Sequence, residues 1–312
     1  MSGILVAVVL VVAAFATFWL IGERGRLVLP STRGFMQSAG ILRAMGPTGL
    51  HGYVYGRWTR GYLRMLGVAM HTLGVPFRRW VANHYHGKVL SHEHARAIVE
   101  LNCPVPLTDL EQIVPYPAAR EIVLSASPDV VAYECACRGI SPNPCQPTQV
   151  CMVVGKPMTD FILEHHPGEA KRLTRDEALS LLEGEHERGH VHSAWFKDAC
   201  MGRFYAICNC CKCCCGGIHA MRRYDTRMIA PSGYVCRVDD ALCTACGACV
   251  SVCPFDAISL DGTAKVNWDA CMGCGACETA CAQHALSLAR DEGKGEPLDV
   301  RTLASAPAPA PK

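Results

Sequence analysis

The sequence lacks the motifs that most enzymes use to bind nucleotides or to form covalent intermediates. It has no glycine-rich phosphate loop and no dinucleotide-binding fingerprint, because the isolated pair Gly216-Gly217 satisfies neither pattern. No nucleophile–base pair is visible either. With these reaction classes disfavoured, the 21 cysteines among 312 residues become the main source of chemistry.

Net charge is also low, at +2 for the whole chain, but it is unevenly distributed. Residues 1–100 contain 11 Lys and Arg against 3 Asp and Glu, whereas the remaining residues contain 19 against 25. A basic amino-terminal part beside an apolar segment is typical of a protein at a membrane surface. We therefore expect a membrane as a partner and no nucleic acid.

Only one long hydrophobic run is present, and it lies at the amino terminus. Ile4 to Ile21 is 18 residues without a charge, and such a helix rises about 27 Å, close to the ~30 Å hydrocarbon core of a bilayer. A cleaved signal peptide is the alternative, but Met1-Ser2-Gly3 carries no basic side chain and Trp19 to Ile21 occupies the cleavage zone. We predict an uncleaved transmembrane anchor over residues 1–22.

Arginines follow the apolar run, and no basic residue precedes it. Arg24, Arg26 and Arg33 lie just after the predicted anchor. Because positively charged flanks stay on the cytoplasmic side, the bulk of the chain should face the cytoplasm. This predicts a single-pass protein of the inner (cytoplasmic) membrane.

Residues 23–100 predict a basic, helical juxtamembrane region. Aromatic residues are interleaved with arginines there, and the apolar run from Tyr62 to Val75 is too short to span a bilayer. Two interpretations remain open. The region is either an amphipathic element lying among lipid headgroups or a helical hairpin packed on the soluble domain or a partner subunit.

Two cysteine runs of identical spacing form an internal repeat near the carboxyl terminus. The first reads C-x2-C-x2-C-x3-C and is followed by proline, and each of its cysteines has a counterpart 28 residues later. Over residues 234–290 this pattern resembles the bacterial two-cluster ferredoxin domain, which implies two 4Fe–4S clusters as cofactors. The resemblance assigns Cys243, Cys246, Cys249 and Cys281 to the first cluster, and Cys271, Cys274, Cys277 and Cys253 to the second.

Zinc is the alternative occupant of such cysteines, but it takes four ligands in two separated pairs and fits two identical runs poorly. The second run ends in Cys281-Ala282, where the family usually has proline, so the polarity around the cluster that Cys281 ligates stays open. No cysteine spacing suggests a disulfide framework. Cluster thiolates must also be reduced, which independently favours a reducing compartment.

A second cysteine-rich region precedes the ferredoxin-like domain, inside a central domain predicted at residues 101–233. Its first part reads C-x-C-x7-C-x5-C, formed by Cys135, Cys137, Cys145 and Cys151. Its second part has six cysteines in eight positions, which are Cys208, Cys210, Cys211, Cys213, Cys214 and Cys215. These two groups of cysteines predict at least one additional iron–sulfur cluster. Because adjacent side chains point in different directions, the sequence leaves open which of the cysteines ligate it.

This central pattern resembles a module found ahead of ferredoxin domains in poorly characterised bacterial and archaeal iron–sulfur proteins, and the resemblance implies no activity. The alternatives are soft-metal binding of the metallothionein kind and buried thiols with no metal. His192 is a further candidate, because an imidazole beside cysteines can ligate iron or donate to sulfur. A hydrogen-bonded strand residue is the other interpretation of His192.

The remaining patterns predict an α+β fold class. Thr174 and Glu177 form a capping box at the start of a helix, and the following strand at His190 to His192 completes a unit that resembles a winged helix. Its acidic helix argues against DNA recognition. Residues 291–312 end in alternating Ala and Pro and predict a disordered tail.

These features predict a membrane-anchored electron carrier that relays electrons through two 4Fe–4S clusters to or from the central cysteine site. Its partner would be a redox protein of unknown identity. A reductase with a substrate-binding cluster in the central domain is the first alternative, and a thiol-rich metal or redox sensor is the second. No residue is assigned a catalytic role.

Overall fold

The computed structural model describes residues 2–40, 44–107, 113, 122–124, 127–200 and 202–304, and it confirms the α+β class. The helices are α1 (Ser2–Gly22), α2 (Pro30–Ala39), α3 (Pro47–Arg57), α4 (Thr59–Thr72), α5 (Gly74–His84), α6 (His92–Val99), α7 (Ala136–Ile140), α8 (Met158–His165), α9 (Arg175–Glu187), α10 (Gly216–Tyr224), α11 (Ala248–Val252), α12 (Ala276–Thr279) and α13 (Val300–Ala304). The strands are β1 (Tyr85–Val89), β2 (Val105–Leu107), β3 (Ile122–Leu124), β4 (Val130–Glu134), β5 (Gln149–Val154), β6 (Ala170–Leu173), β7 (Val191–Lys197), β8 (Arg203–Cys210), β9 (Ile229–Ala230), β10 (Tyr234–Val238), β11 (Ile258–Asp261), β12 (Thr263–Val266) and β13 (Leu286–Arg290).

A seven-stranded sheet organises the centre of the protein. Its order is β6-β4-β5-β8-β7-β1-β9, and all pairings are antiparallel except that of β1 with β9. Because side chains alternate between faces along a strand, Cys208 and Cys210 of β8 point to one face and Asn209 points to the other. The register pairs Asn209 with His192 of β7, so these two side chains share the face that carries no cysteine of β8.

Helices α6 and α9 cover the face that carries Asn209. Ala95 and Ile98 of α6 pack with Ala178 and Leu182 of α9 in one apolar cluster, and all four are fully buried. This burial follows from the helical spacing of the apolar residues, which places them on one side of each helix. The opposite face of the sheet is therefore the one available for the cysteines.

The predicted capping box at the start of α9 is confirmed. The Glu177 N–H donates to the Thr174 hydroxyl, and the Thr174 N–H donates to the Glu177 carboxylate. The winged-helix interpretation is wrong, however. The strand after α9 is β7, which is buried along its whole length between β8 and β1 rather than exposed in a terminal hairpin. Side chains on both faces of β7 are buried, which requires other elements to pack on both sides of the sheet.

The described residues contain one helix long and apolar enough to cross a membrane, and it is α1. None of its apolar window is buried against the rest of the protein. The last turn is nevertheless docked, since the Trp19 ring stacks on Tyr53 with centroids 4.9 Å apart. The buried Glu23 carboxylate accepts a hydrogen bond of 2.9 Å from Thr32. The helix therefore leaves the domain from a fixed base.

The juxtamembrane helices pack on the soluble domain, which is the second of the two interpretations. Tyr53, Tyr55 and Met70 are buried in the main apolar cluster. The same helices also leave apolar residues more than half exposed, namely Met65, Val68, Leu73 and Val75. Strand β1 belongs to the central sheet and helix α6 covers it, although both precede the boundary predicted at residue 101.

The carboxyl-terminal part is built from short, repeated elements. Strand β10 pairs with β13, and β11 pairs with β12. Helices α11 and α12 each begin after a glycine in the left-handed region, Gly247 with φ 79° and Gly275 with φ 82°. Glycine adopts this conformation without steric cost, so the backbone can turn sharply out of each cysteine loop.

The disordered tail predicted from residue 291 is wrong as far as residue 304. A 3-10 turn spans Glu292–Lys294, and α13 follows it. Leu298 and Val300 are fully buried in the apolar cluster beneath α6, which explains why this segment is ordered. Residues 305–312, which hold the Ala-Pro repeat, lie outside the described residues.

Candidate metal centres

The ferredoxin-like loops present backbone N–H groups to cysteine sulfurs. The Ala257 N–H donates to Cys253 Sγ at 3.3 Å, and the Ala285 N–H donates to Cys281 Sγ at the same distance. The repeat in the sequence is thus also a repeat in the geometry. Such contacts disperse negative charge on sulfur, and they are one means by which a protein sets a cluster's potential.

The last cysteine of the first run lies with the second run. Cys253 shares the lining of a small cavity of about 20 Å³ with Cys271, Cys274 and Cys277 of the second run, and also with Cys236. Apart from Cys236, this is the set that the family resemblance implies for the second cluster. On the other side, the Ala264 N–H donates to Cys243 Sγ at 3.4 Å, which orients the first thiolate of the other set.

Cys236 of β10 is a fifth thiol beside this second set, and it lies outside the two cysteine runs that the sequence shows. Its Sγ lies 3.5 Å from Cys277 Sγ, and its N–H donates to Cys271 Sγ at 3.5 Å. The hydrogen bond to Cys277, together with burial, raises the pKa of Cys236, so it stays a neutral thiol. Because β10 precedes the first run, only the pairing of β10 with β13 brings it here.

The central cysteines face a cavity of about 480 Å³ on the sheet face opposite α6 and α9. Six thiols, three of them buried and three partly buried, lie next to one another in a ring in its wall, which we call the buried ring. In ring order these are Cys135, Cys151, Cys208, Cys210, Cys215 and Cys137. The number of thiolates and the space beside them fit an iron–sulfur cluster.

Neighbouring thiols of the buried ring polarise one another. The hydrogen bond between Cys135 and Cys137 raises the pKa of Cys135 and lowers the pKa of Cys137. The contact with Cys208 likewise lowers the pKa of Cys210. Thiolates buried without a counter-ion are unfavourable, so this donor set favours a bound cation.

The other four central cysteines form a separate group near the surface, which we call the outer group. Its members are Cys145, Cys211, Cys213 and Cys214, and their sulfurs all lie within 4.8 Å of one another. The sulfurs of Cys213 and Cys214 are 3.6 Å apart. Sulfurs bound at about 2.3 Å to one tetrahedral ion would be about 3.8 Å apart. The outer group therefore has the ligand count of a single soft metal ion or of one 4Fe–4S cluster.

A buried lysine stands beside the buried ring. Lys197 is 6% exposed, and its Nζ donates to Tyr55 Oη at 2.5 Å. Tyr55 Oη is in turn 2.9 Å from Tyr205 Oη. Burial lowers the pKa of Lys197, and the nearby sulfurs of Cys200 and Cys208 oppose that shift. Lys197 is therefore the cation best placed to balance charge or supply a proton in the cavity.

Arg138 fixes the loop that carries Cys135 and Cys137. Its side chain is fully buried, and its guanidinium donates to the Glu185 carboxylate at 2.7 Å. It also donates to the carbonyls of Pro147 and Asn209. These bonds tie the loop after β4 to β8 and α9. This role of Arg138 is not apparent from the sequence, where its only signal is an arginine directly after a C-x-C motif.

Three further residues lie apart from these thiol groups. Cys200 is buried, and burial raises the pKa of its thiol to about 12. Cys103 packs at the edge of the apolar cluster on the opposite face of the sheet. His192 also lies on that opposite face, where its Nδ1 hydrogen-bonds Asn209 Oδ1 at 2.6 Å, so it does not ligate an iron of the cavity.

Comparison with known families gives a match only in the repeated region. Residues 237–259 and 264–287 match the 4Fe-4S binding domain. The chain therefore carries a two-cluster, ferredoxin-type 4Fe–4S domain. Its cofactors are two 4Fe–4S clusters, and its activity is iron–sulfur electron transfer. The comparison with curated proteins gives no match to this chain.

Proposed function

We propose that this protein is a membrane-anchored electron-transfer protein in which the ferredoxin-type domain exchanges electrons with a metal centre formed by the central cysteines. One observation carries the proposal. Asp256, three residues after Cys253, forms ion pairs with Lys212 at 3.0 Å and Arg222 at 2.6 Å. Lys212 lies between Cys211 and Cys213 of the outer group. The second ferredoxin site and the central thiols are thus held next to each other.

The electron path can be tested by reversing the charge of Asp256. Asp256→Lys replaces two attractions between exposed groups with repulsion, so electron transfer between the domains should slow about two- to tenfold. The measurement is stopped-flow absorbance of the full-length protein after rapid reduction. Asp240→Lys is the matched control, because Asp240 pairs with Lys265 inside the ferredoxin-type domain. Equal rates in both variants would contradict the path.

The membrane anchor is part of the proposal and rests on α1 and its surroundings. The exposed apolar window of α1 and the exposed side chains of Met65, Val68 and Val75 have no cover among the described residues. A bilayer would bury both surfaces. Carbonate washing should leave the full-length protein in the membrane fraction and release a form lacking residues 1–22. A carboxyl-terminal reporter active only in the periplasm would contradict the proposed cytoplasmic orientation.

A reductase is the second candidate function, and the cavity is the observation that favours it. The cavity of about 480 Å³ has the volume of a small-molecule site and places Lys197 beside the buried ring. Reduction of a disulfide substrate to two thiols consumes two electrons and two protons, and the ferredoxin-type domain can supply one electron from each cluster. A reductase would oxidise the reduced protein on addition of a small disulfide and lose this activity in Lys197→Met. A pure carrier would show no turnover with either protein.

A further inference from the structure

Three histidines converge on the face of the sheet opposite the cysteines. His92 lies at the start of α6, His186 lies in the last turn of α9, and His192 lies on β7. One ring nitrogen from each lies within 4.8 Å of the others. Nδ1 of His92 and Nε2 of His192 are 3.2 Å apart. Nitrogens bound at about 2.0–2.1 Å to one tetrahedral ion would be about 3.4 Å apart.

Each of these rings also has a hydrogen-bond partner outside the cluster. His92 Nε2 is 3.1 Å from the Glu183 carboxylate, and His186 Nε2 is 3.0 Å from the Thr279 hydroxyl. His192 Nδ1 donates to Asn209 Oδ1 at 2.6 Å. Histidines that ligate a metal usually donate their second N–H to such a partner, which fixes the tautomer and leaves the first nitrogen's lone pair free for the ion.

The partners are themselves held in place. The Asn209 side-chain amide donates to the Val150 carbonyl at 2.7 Å, which turns its oxygen towards His192. Thr279 belongs to α12 of the ferredoxin-type domain, two residues from Cys277 and Cys281. The histidine cluster therefore lies at the contact between α9 and the ferredoxin-type domain.

We propose that His92, His186 and His192 form a mononuclear site for a divalent ion that prefers imidazole, such as Zn²⁺ or Fe²⁺. Imidazole suits these ions, whereas the thiolates of the other face suit iron–sulfur clusters and softer ions. Three protein ligands leave a further coordination position open for water or a small molecule. The site bridges the central and ferredoxin-type domains, because Thr279 holds the His186 ring.

The competing explanation is a metal-free cluster of neutral histidines. The His92 and His186 rings are stacked with centroids 4.2 Å apart, and His92 and His192 are within hydrogen-bond distance. Such a cluster would stabilise the contact of α6 with α9 but bind no ion. Only the metal-site proposal predicts that the protein binds one metal ion per chain and that this binding requires all three histidines.

Cobalt is the probe, because Co²⁺ bound by imidazoles gives a ligand-field absorption band without the intense sulfur charge-transfer band of a thiolate site. The full-length protein, loaded with iron–sulfur clusters and treated with a mild chelator, is titrated with Co²⁺ under anaerobic conditions. The wild type should bind one ion more than His92→Ala and His186→Ala. Glu183→Gln keeps the three histidine ligands but replaces the carboxylate that hydrogen-bonds His92, so the affinity of this variant for Co²⁺ should fall about 10- to 100-fold.

The matched control is His71→Ala, because His71 is an exposed histidine that hydrogen-bonds Tyr224 and lies outside the cluster. It should bind Co²⁺ like the wild type. His92 and His186 are only partly buried, so their alanine variants should fold and retain the absorption of the 4Fe–4S clusters. Equal Co²⁺ binding by the wild type and both histidine variants, or binding accompanied only by a sulfur charge-transfer band, would overturn the proposal.

Discussion

The two cysteine-rich regions of this protein assemble their thiols in different ways. In the ferredoxin-type domain, each run of ligands spans a tight loop, the short helix that follows it and the turn after that helix, and the backbone N–H groups of Ala257 and Ala285 donate to sulfur. In the central domain, the buried ring draws on the loop after β4, on β5, on β8 and on the loop that follows β8. The first region is local in sequence, whereas the second depends on strand pairing.

This difference has a consequence for stability. A local loop keeps its ligand positions as long as its own turn and helix are formed, and glycine lets the turn form. The buried ring keeps its geometry only while β5 and β8 stay paired and the Cys135 loop stays attached. Buried anchors such as Arg138 should therefore matter far more to the central region than to the ferredoxin-type domain.

The largest expected effect comes from removing Cys253, the cysteine of the first run that is assigned to the second cluster. Cys253→Ala should eliminate the cluster assigned to the second run and leave the cluster of the first run in place, so iron falls by about four per chain. Iron analysis with electron paramagnetic resonance of the reduced protein measures this. Cys103→Ala is the control, since Cys103 lies apart from every thiol group described. Loss of the first cluster instead would contradict the crossed ligand sets.

The next largest effect concerns the central region's anchor. Arg138→Met removes one partner of a fully buried ion pair, so the free energy of unfolding should fall by about 3–5 kcal/mol. Arg188→Met is the matched control, because Arg188 also pairs with Glu185 but is half exposed, and its loss should cost under about 1 kcal/mol. Denaturant unfolding of the full-length protein in detergent compares them. Equal losses of unfolding free energy in the two variants would contradict a larger contribution from the buried Arg138–Glu185 ion pair.

Lowering the pH should weaken the Arg138–Glu185 ion pair in the wild-type protein. Hydrogen bonds from His190 and Arg138 outweigh burial and lower the pKa of Glu185. The stabilisation is therefore present above the usual glutamate pKa and is lost as the pH falls through the lower value of the folded state. The difference in unfolding free energy between wild type and Glu185→Gln should shrink as the pH falls below about 4. A difference that stays constant with pH would contradict an ionised Glu185.

The smallest effect should appear at Cys236, the fifth thiol beside the second ligand set of the ferredoxin-type domain. Cys236 Sγ lies 3.5 Å from Cys277 Sγ, and once Cys277 ligates the cluster as a thiolate, the neutral Cys236 thiol can donate to it and so stabilise the more negative reduced cluster. Removing a hydrogen bond of about 0.5–1.5 kcal/mol in Cys236→Ala should lower the one-electron potential by about 20–60 mV. A redox titration followed by electron paramagnetic resonance measures this shift. A higher potential would mean that Cys236 acts through its charge instead.

Sequence patterns predicted the local features of this protein and not those that depend on tertiary pairing. The ferredoxin-type runs and the Thr174 capping box could be predicted because each is defined within a few residues. The α+β class could be predicted from the mixture of local helix and strand patterns. The division of the central cysteines was not, since Cys151 and Cys208 meet only when β5 lies beside β8. The position of Cys236 and the histidine cluster depend in the same way on β10 and on β7.

Iron content tests the central claim most directly, namely that the buried ring holds a metal centre in addition to the two ferredoxin clusters. The full-length protein is reconstituted anaerobically beside Cys210→Ala/Cys215→Ala, which breaks the ring, and beside Cys200→Ala, which removes a buried thiol outside it. We predict more than eight irons per chain for the wild type and Cys200→Ala, and about four irons fewer per chain for the ring variant than for either of them. About eight irons in all three proteins would contradict the claim.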